Sequence, residues 1–189
     1  MPRTPPSRPT ASSRVTEHTP HTVASVVTTA GATRVRIPIH LRWGDLDALG
    51  HVNNTSMLKL LEEARLRAFW KPEAGMSGPT TAILDALSLS AETMTLIARQ
   101  EIEYLAPVPY GQRPLDVQLW IGRIGGSSID VCYEVYSPHE DDPQTCYARS
   151  TAVVVMVSTE TGRPVRLTDE MRRAWSPILG EPITYAHRR

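Results

Sequence analysis

Alternating apolar and polar positions from Thr33 to Leu41 begin the patterned part of the chain. The period of two predicts a half-buried β-strand. From about Asn54 to Trp70, apolar side chains instead recur every three or four residues, which predicts an amphipathic helix with one buried face. The apolar positions of that face are Met57, Leu60, Leu61, Ala64 and Ala68.

Four strand-like segments follow the helix, over residues 93–105, 115–123, 128–136 and 146–158. Gly125-Gly126 predicts a hairpin turn between the second and third segments, and the apolar run 152–157 predicts a strand covered on both faces. A short helix is predicted for 168–175, whereas residues 80–89 fit either a short helix or a flap. This order of elements predicts an α+β fold in which an antiparallel sheet wraps around one long helix.

The first 32 residues differ from the rest in composition. They are rich in Ser, Thr and Pro, and Glu17 is their one acid. A segment with so few large apolar residues cannot bury enough surface to offset the entropy of ordering. We therefore predict a disordered tail over residues 1–32 and a single domain over residues 33–189.

Composition excludes several classes of function. The formal net charge is zero, which gives no long-range attraction to nucleic acid or to an anionic membrane. The longest apolar run is far shorter than the roughly 20 residues that span a bilayer. Cys132 and Cys146 are expected to be free thiols of a cytoplasmic protein, and the six histidines show no metal-ligand spacing.

The candidate chemistry is concentrated in residues 42–53, which we call the acidic loop, and in the helix start that follows it. The loop carries Asp45 and Asp47, then a glycine turn and His51. It ends at Asn53, and Asn53 and the next residue, Asn54, are both suited to cap a helix. A carboxylate is thereby placed just before a helix N-terminus, where backbone N–H groups are unpaired and the dipole favours an anion. A base or nucleophile beside an anion-stabilising group is what acyl transfer requires.

These residues carry a family resemblance. The matching segments are Trp43-Gly44-Asp45-Leu46-Asp47, Gly50-His51-Val52-Asn53-Asn54 and Leu61-Glu62-Glu63-Ala64-Arg65, with weaker matches at 103–107, 122–128 and 161–164. Over residues 33–175 the chain resembles the hotdog-fold acyl-CoA thioesterases of the 4-hydroxybenzoyl-CoA thioesterase type. The resemblance implies a hotdog fold, a homodimer or homotetramer, an acyl-CoA substrate and no cofactor, with coenzyme A (CoA) present only as part of the substrate.

The resemblance also implies roles for individual residues. Asp47 maps onto the catalytic acid, as nucleophile or as general base, and the backbone N–H of Asn54 onto the group that polarises the thioester carbonyl. His51 is expected either to orient water or substrate or to be a neutral histidine satisfied by a neighbouring backbone group. Glu63 is the second-choice acid, with an ion pair to Arg67 as the simpler interpretation. Asp45 is expected to form a turn or an ion pair with Arg42. The expected substrate-binding residues are Gly50, Val52, Asn53, Met57, Arg123, Ser127 and Ser128, with Asn53 also a candidate helix cap.

Departures from the family pattern keep other functions open. Met57 stands where many members carry Tyr, which favours an aliphatic acyl group. The acidic loop also resembles that of the plant acyl-carrier-protein thioesterases, whose Asp-x-Asn-x-His signature is incomplete here because Leu49 replaces the Asn. A hydratase is disfavoured, because its Asp usually stands five residues before its His and no Asn-Pro is present. A catalytically silent acyl-CoA binder remains an alternative.

Overall fold

One antiparallel sheet and one long helix form the architecture. The computed structural model describes residues 24–29, 32–85 and 92–186. The strands of this described part are β1 (Ser25–Thr29), β2 (Ala32–Ile39), β3 (Thr93–Tyr104), β4 (Leu115–Ile124), β5 (Ser128–Tyr136) and β6 (Cys146–Ser158), in the spatial order β1-β2-β4-β5-β6-β3. The helices are α1 (Asn54–Phe69) and α2 (Asp169–Trp175). The predicted α+β class is confirmed.

Helix α1 packs its apolar face on the inner face of the sheet. Asn53 caps its start, with the side-chain Oδ1 accepting from Thr55 N at 2.9 Å. Its buried positions are Met57, Leu60, Leu61, Ala64, Arg65, Ala68 and Phe69. Trp175 of α2 closes the far end of this core, because its ring meets Phe69 edge to face at 5.6 Å.

Arg65 is the one charged residue among the buried positions of α1. It is 5 % exposed, and its guanidinium donates to the buried Tyr133 hydroxyl at 3.2 Å and lies 3.5 Å from Glu62. Arg65 stands four residues after the buried Leu61, so both lie on the same face of the helix, and its aliphatic stem can pack there while the charged end is hydrogen-bonded. Burial raises the pKa of Tyr133, which keeps its hydroxyl protonated.

The start of the ordered domain also needs correction. Ser25–Thr29 pairs with β2, so the domain begins before the predicted boundary at Thr33. An edge strand is held by backbone hydrogen bonds and needs few buried side chains, and Val26 is indeed exposed. The amino-acid composition of this segment therefore did not reveal strand β1. The rest of the predicted disordered tail, residues 1–23, lies outside the described residues.

Two further expectations concern the apolar segments. Residues 80–85 form no helix, although Leu84 pairs with Trp70, and residues 86–90 lie outside the described part of the chain.

In β6 the burial alternates, because Val153 and Val155 are only half-buried. The prediction of a strand covered on both faces is therefore wrong. Helix α1 covers the inner face, and the residues after α2 cross only part of the outer face.

That outer crossing is formed by the segment following α2. Gly180 N donates to Ile121 O at 2.9 Å, and Trp120 Nε1 donates to Glu181 O at 2.8 Å. Further along, the Tyr185 hydroxyl donates to Thr151 Oγ1 at 2.7 Å. The segment therefore packs on β4 and β6 on the side of the sheet opposite α1.

A buried carboxylate on the outer face makes stability depend on pH. Asp116 is 6 % exposed and is held by Arg36, Gln118 and Gln144. Burial alone would raise the pKa of Asp116, but the hydrogen bonds from these groups and the charge of Arg36 hold it below its usual value. The stabilisation is therefore complete above the unfolded-state pKa of about 3.9 and is lost as the pH falls through the lower folded-state pKa.

We expect Asp116→Asn to lower the free energy of unfolding at pH 7 by about 3 kcal/mol, because it leaves the Arg36 guanidinium without its charge partner. As the pH falls below about 5, the wild type should then lose stability more steeply than the variant. Urea unfolding at a series of pH values measures both effects. Asp85→Asn, which changes an exposed pair with Lys71, is the matched control. Parallel pH curves for wild type and Asp116→Asn would contradict the prediction.

Candidate active site

The acidic loop folds back on itself as a miniature antiparallel ladder. Asp47 N donates to His51 O at 2.8 Å, Asn53 N donates to Asp45 O at 2.9 Å, and Leu46 lies opposite Val52 between these two bonds. Opposed residues of such a ladder lie about 4.5–5.5 Å apart between Cα atoms. The chain returns at Gly50, whose φ of +78° is a left-handed conformation that favours glycine.

The Asp47 carboxylate is half-buried at the tip of this ladder. Its Oδ1 accepts from Leu49 N at 2.8 Å and from His51 N at 3.3 Å, so the side chain shapes the turn. Its Oδ2 makes no hydrogen bond to the described part of the chain. The same carboxylate can therefore close the turn with one oxygen and present the other to a ligand.

His51 lies opposite Asp47 on the ladder and is also half-buried. Its backbone pairs with Pro109, and the next residue, Val52, donates its N–H to Val108 O at 3.0 Å. Within the described residues the imidazole ring makes no hydrogen bond. The structure thus brings Asp47 and His51 together on one face of the ladder.

Asn54 opens α1 as its first helical residue and is exposed. The Asn53 cap occupies the N–H of Thr55, whereas the helix itself offers no acceptor for the Asn54 N–H. The Tyr104 hydroxyl donates to Asn54 O at 3.3 Å, and burial raises the pKa of Tyr104. Tyr104 therefore fastens the end of β3 to the helix start, a contact that the sequence interpretation did not predict.

The remaining predicted residues in or near the acidic loop are divided between the buried core and the surface. Val52 and Met57 are buried in the core of the chain, at 8 % and 1 % exposure. Asn53 is the helix cap, as the sequence allowed. Glu63 is exposed and its Oε1 lies 2.7 Å from Arg67 Nε, which is the ion pair expected from their spacing. Asp45 forms the expected pair with Arg42.

The predicted phosphate contacts lie far from Asp47 in the same chain. Leu115 pairs with Ile39 near the acidic loop, whereas Arg123, Ser127 and Ser128 lie at the hairpin where β4 ends. Eight residues of β4 separate Arg123 from Leu115, which is about 26 Å at about 3.3 Å per residue. Arg123 also pairs with Asp130 at 3.1 Å. One chain therefore does not bring this hairpin to the acidic loop.

Two cavities lie away from the acidic loop as well. One opens on the outer face beside Arg36 and His139, and the other lies under the second half of α1 beside Arg65 and Trp175. No residue of the acidic loop lines either of them. Elsewhere, apolar side chains are exposed in the loop itself, at Trp43 and Leu49, and on segments that contact or continue it, at Leu58, Tyr104, Leu105 and Tyr110.

Metal-binding clusters and membrane-spanning helices are both absent from the described residues. No group of three or more His, Cys, Asp or Glu side chains in these ranges is placed to hold a metal ion. No helix in this part of the chain is long and apolar enough to cross a membrane.

Comparison with known proteins gives consistent matches. A family model described as the thioesterase-like superfamily matches residues 41–175. The protein YsmA of Bacillus subtilis (strain 168) is 31% identical over 133 residues, which cover 70% of this chain and 78% of YsmA.

Solved structures match the same part of the chain. A thioesterase from Thermus thermophilus, solved in complex with coenzyme A and Zn, is 29% identical with a TM-score of 0.56, covering 78% of this chain and 95% of that one. The PA2801 protein of Pseudomonas aeruginosa is 30% identical with a TM-score of 0.57, covering 75% of this chain and 95% of its own.

Proposed function

The chain belongs to the thioesterase-like superfamily, and on that premise we propose that it hydrolyses acyl-CoA thioesters to the free acid and CoA. The observation that carries this proposal is the position of Asp47, whose Oδ2 is unused by the turn and which lies opposite His51 on the ladder that leads into α1. The crystal complex of the Thermus thermophilus thioesterase with coenzyme A supports CoA as the carrier.

The reaction needs a base or nucleophile and a donor for the oxyanion. In the general-base route, Asp47 takes a proton from water, the water oxygen bonds to the thioester carbon, and the C–S bond breaks as Asp47 returns the proton to the departing sulfur, which releases CoA as a thiol. In the nucleophilic route, the carboxylate itself attacks the carbonyl carbon, the C–S bond breaks to release CoA as a thiolate that takes a proton from water, and the resulting anhydride is hydrolysed by a second water to restore the Asp47 carboxylate. In both routes the Asn54 N–H donates to the developing oxyanion, and His51 orients the water or the substrate.

An aliphatic acyl group is the proposed substrate. The exposed side chains beside the acidic loop include Leu49, Leu58 and Leu105. Such a rim favours burial of a hydrocarbon chain over a polar group. An acyl-carrier-protein thioester is the alternative, because the pantetheine arm next to the thioester is common to both carriers.

Thiol release from a panel of acyl thioesters tests the activity. The panel carries acetyl, medium-chain, long-chain and aromatic acyl groups on CoA, and the same acyl groups on a carrier protein. We expect turnover on a subset of the aliphatic CoA esters. Turnover only on carrier-protein esters would replace the CoA assignment. Binding of acyl-CoA without release of thiol from any ester would instead identify a silent binder.

A second copy of the chain is proposed to complete the site. Strand β3 lies at one edge of the sheet and exposes Met94, Leu96 and Ile97. An open edge with exposed apolar side chains favours pairing with another strand. If β3 pairs with its copy about a two-fold axis, the sheet of the second chain runs in the opposite direction to that of the first. The partner's β4–β5 hairpin would then lie at the end of the first sheet that carries the acidic loop. Arg123, Ser127 and Ser128 of the second copy could then contact the CoA phosphates.

The expected assembly is a homodimer or a pair of such dimers. Light scattering at micromolar concentration should give a mass of at least two chains. Leu96→Lys should weaken dimer formation at least tenfold, about 1.4 kcal/mol, because an edge lysine opposes strand pairing. Met76→Lys, at a similarly exposed apolar position in the loop after α1, is the matched control. A wild-type mass equal to one chain would contradict the proposal.

A further inference from the structure

Asp45 is buried close to the proposed catalytic carboxylate, yet it is not the group that faces solvent. It is 3 % exposed. Its Oδ2 accepts from Arg42 N at 2.7 Å, and its Oδ1 accepts from Arg42 Nη2 at 2.8 Å. A buried carboxylate is costly unless its oxygens are satisfied, and here one residue, Arg42, supplies both backbone and side-chain donors. The pair is therefore a fixed unit of the loop.

The backbone of the same residue is bonded to the helix start. Asp45 O accepts from the N–H of Asn53, the residue that caps α1. Asp45 is thus held through its side chain to the exit of β2 and through its backbone to the entry of α1. Any rotation of its peptide would disturb the cap and the first turn of the helix together.

Asp47 depends on this arrangement through the ladder. Asp45 lies opposite Asn53 and Asp47 lies opposite His51, one on each side of the Leu46–Val52 pair. The bonds that join these partners define where the Asp47 carboxylate points relative to the helix N-terminus. Asp45 is the end of the ladder nearest the core, whereas Asp47 is at the exposed tip.

Charged residues of α1 also favour the ionised forms of Asp45 and Arg42. Lys59 favours the charged form of Asp45, and Glu63 favours the charged form of Arg42. Glu63 is itself paired with Arg67, whose guanidinium donates to Pro38 O at 3.3 Å, at the end of β2. Burial alone would raise the pKa of Asp45, but the hydrogen bonds and charge of Arg42 hold it below its usual value.

We infer that Asp45 and Arg42 are positioning residues that fix the ladder carrying Asp47 relative to the start of α1. The kinetic consequences rest on the proposed thioester hydrolysis. Displacing a reacting group by about 1 Å can cost on the order of 100-fold in rate. Loss of the pair should therefore lower kcat while leaving the substrate surface, and hence KM, nearly intact.

The kinetic test compares four variants with the wild type. Asp45→Asn and Arg42→Gln should each lower kcat by roughly 10- to 100-fold with KM changed by less than about threefold. Arg42→Lys should recover most of the rate that Arg42→Gln loses, since it keeps a positive charge beside Asp45. Glu63→Gln should cost less than about tenfold. As a control outside these four, Asp85→Asn, in the ion pair at the other end of α1, should leave kcat unchanged.

Amide hydrogen exchange gives a readout that does not depend on turnover. In Asp45→Asn the N–H groups of Asp47 and Asn53 should exchange at least tenfold faster, while those of β4 and β5 stay protected. Unchanged exchange together with unchanged kcat would overturn the inference. A loss in Asp45→Asn as large as in Asp47→Asn would also overturn it, because Asp45 would then take part in the chemistry. A wild type without any turnover would contradict the proposed function. The exchange measurement would still show whether the Asp45–Arg42 pair holds the acidic loop in place.

Discussion

Asp47→Asn should lower kcat for thioester hydrolysis by about 10³-fold, within the 10²- to 10⁴-fold range that a positioned base or nucleophile contributes. An amide can neither take a proton from water nor form an acyl intermediate. The asparagine side-chain oxygen can still accept the bonds from Leu49 N and His51 N, so the turn is preserved. The loss of rate should therefore occur without loss of fold.

Steady-state thiol release, with thermal unfolding of each variant in parallel, measures this effect. Asp85→Asn is the control for an equal change of side chain at an exposed position far from the loop. Undiminished turnover in Asp47→Asn would move the catalytic role to Glu63 or Asp45. A variant that loses both rate and its unfolding transition would show instead that Asp47 serves the turn.

The largest effect on stability is expected at Trp175. Its side chain is 1 % exposed, packs on Phe69 with ring centroids 5.6 Å apart, and donates from Nε1 to Thr81 O at 3.0 Å. Trp175→Ala would leave a cavity under the second half of α1 and remove the partner of a buried carbonyl. We expect a loss of about 3–5 kcal/mol in the free energy of unfolding.

Trp43→Ala is the matched control, because the same side chain is removed at a position 76 % exposed. Its ring contacts only Tyr110 among the aromatic pairs of the described residues, so a loss under about 1 kcal/mol is expected. Urea unfolding of both variants makes the comparison. Equal losses would mean that α2 contributes little to the core, and this would contradict the packing described above.

Much of the fold could be predicted from local patterns. The strand ranges 115–123, 128–136 and 146–158 agree with β4, β5 and β6 to within one residue, because β alternation and glycine turns are encoded locally. The same is true of α1, whose cap and apolar face follow directly from residues 53–69. Edge strand β1 was missed because backbone pairing, and not side-chain burial, holds it.

The candidate site was predicted only in part. The identity of the acidic loop and its place before a helix were readable, as was the ion pair of Glu63 with Arg67. The Tyr104 bond to Asn54 and the burial of Arg65 were not, because each joins residues that are distant in sequence. The expected phosphate residues illustrate the same limit, since no spacing rule tells which end of a sheet a hairpin occupies.

The amino-acid sequence was enough to identify the residues that can do chemistry and the segments that form helix or strand, because those properties depend on side-chain type and short-range periodicity. Two features emerged only from the three-dimensional fold, namely the burial of Asp45 against Arg42 beside a more accessible Asp47, and the location of Arg123 at the opposite end of the sheet. Both depend on strand register and on contacts between distant segments, and the energies that select them are set by packing, not by local propensity.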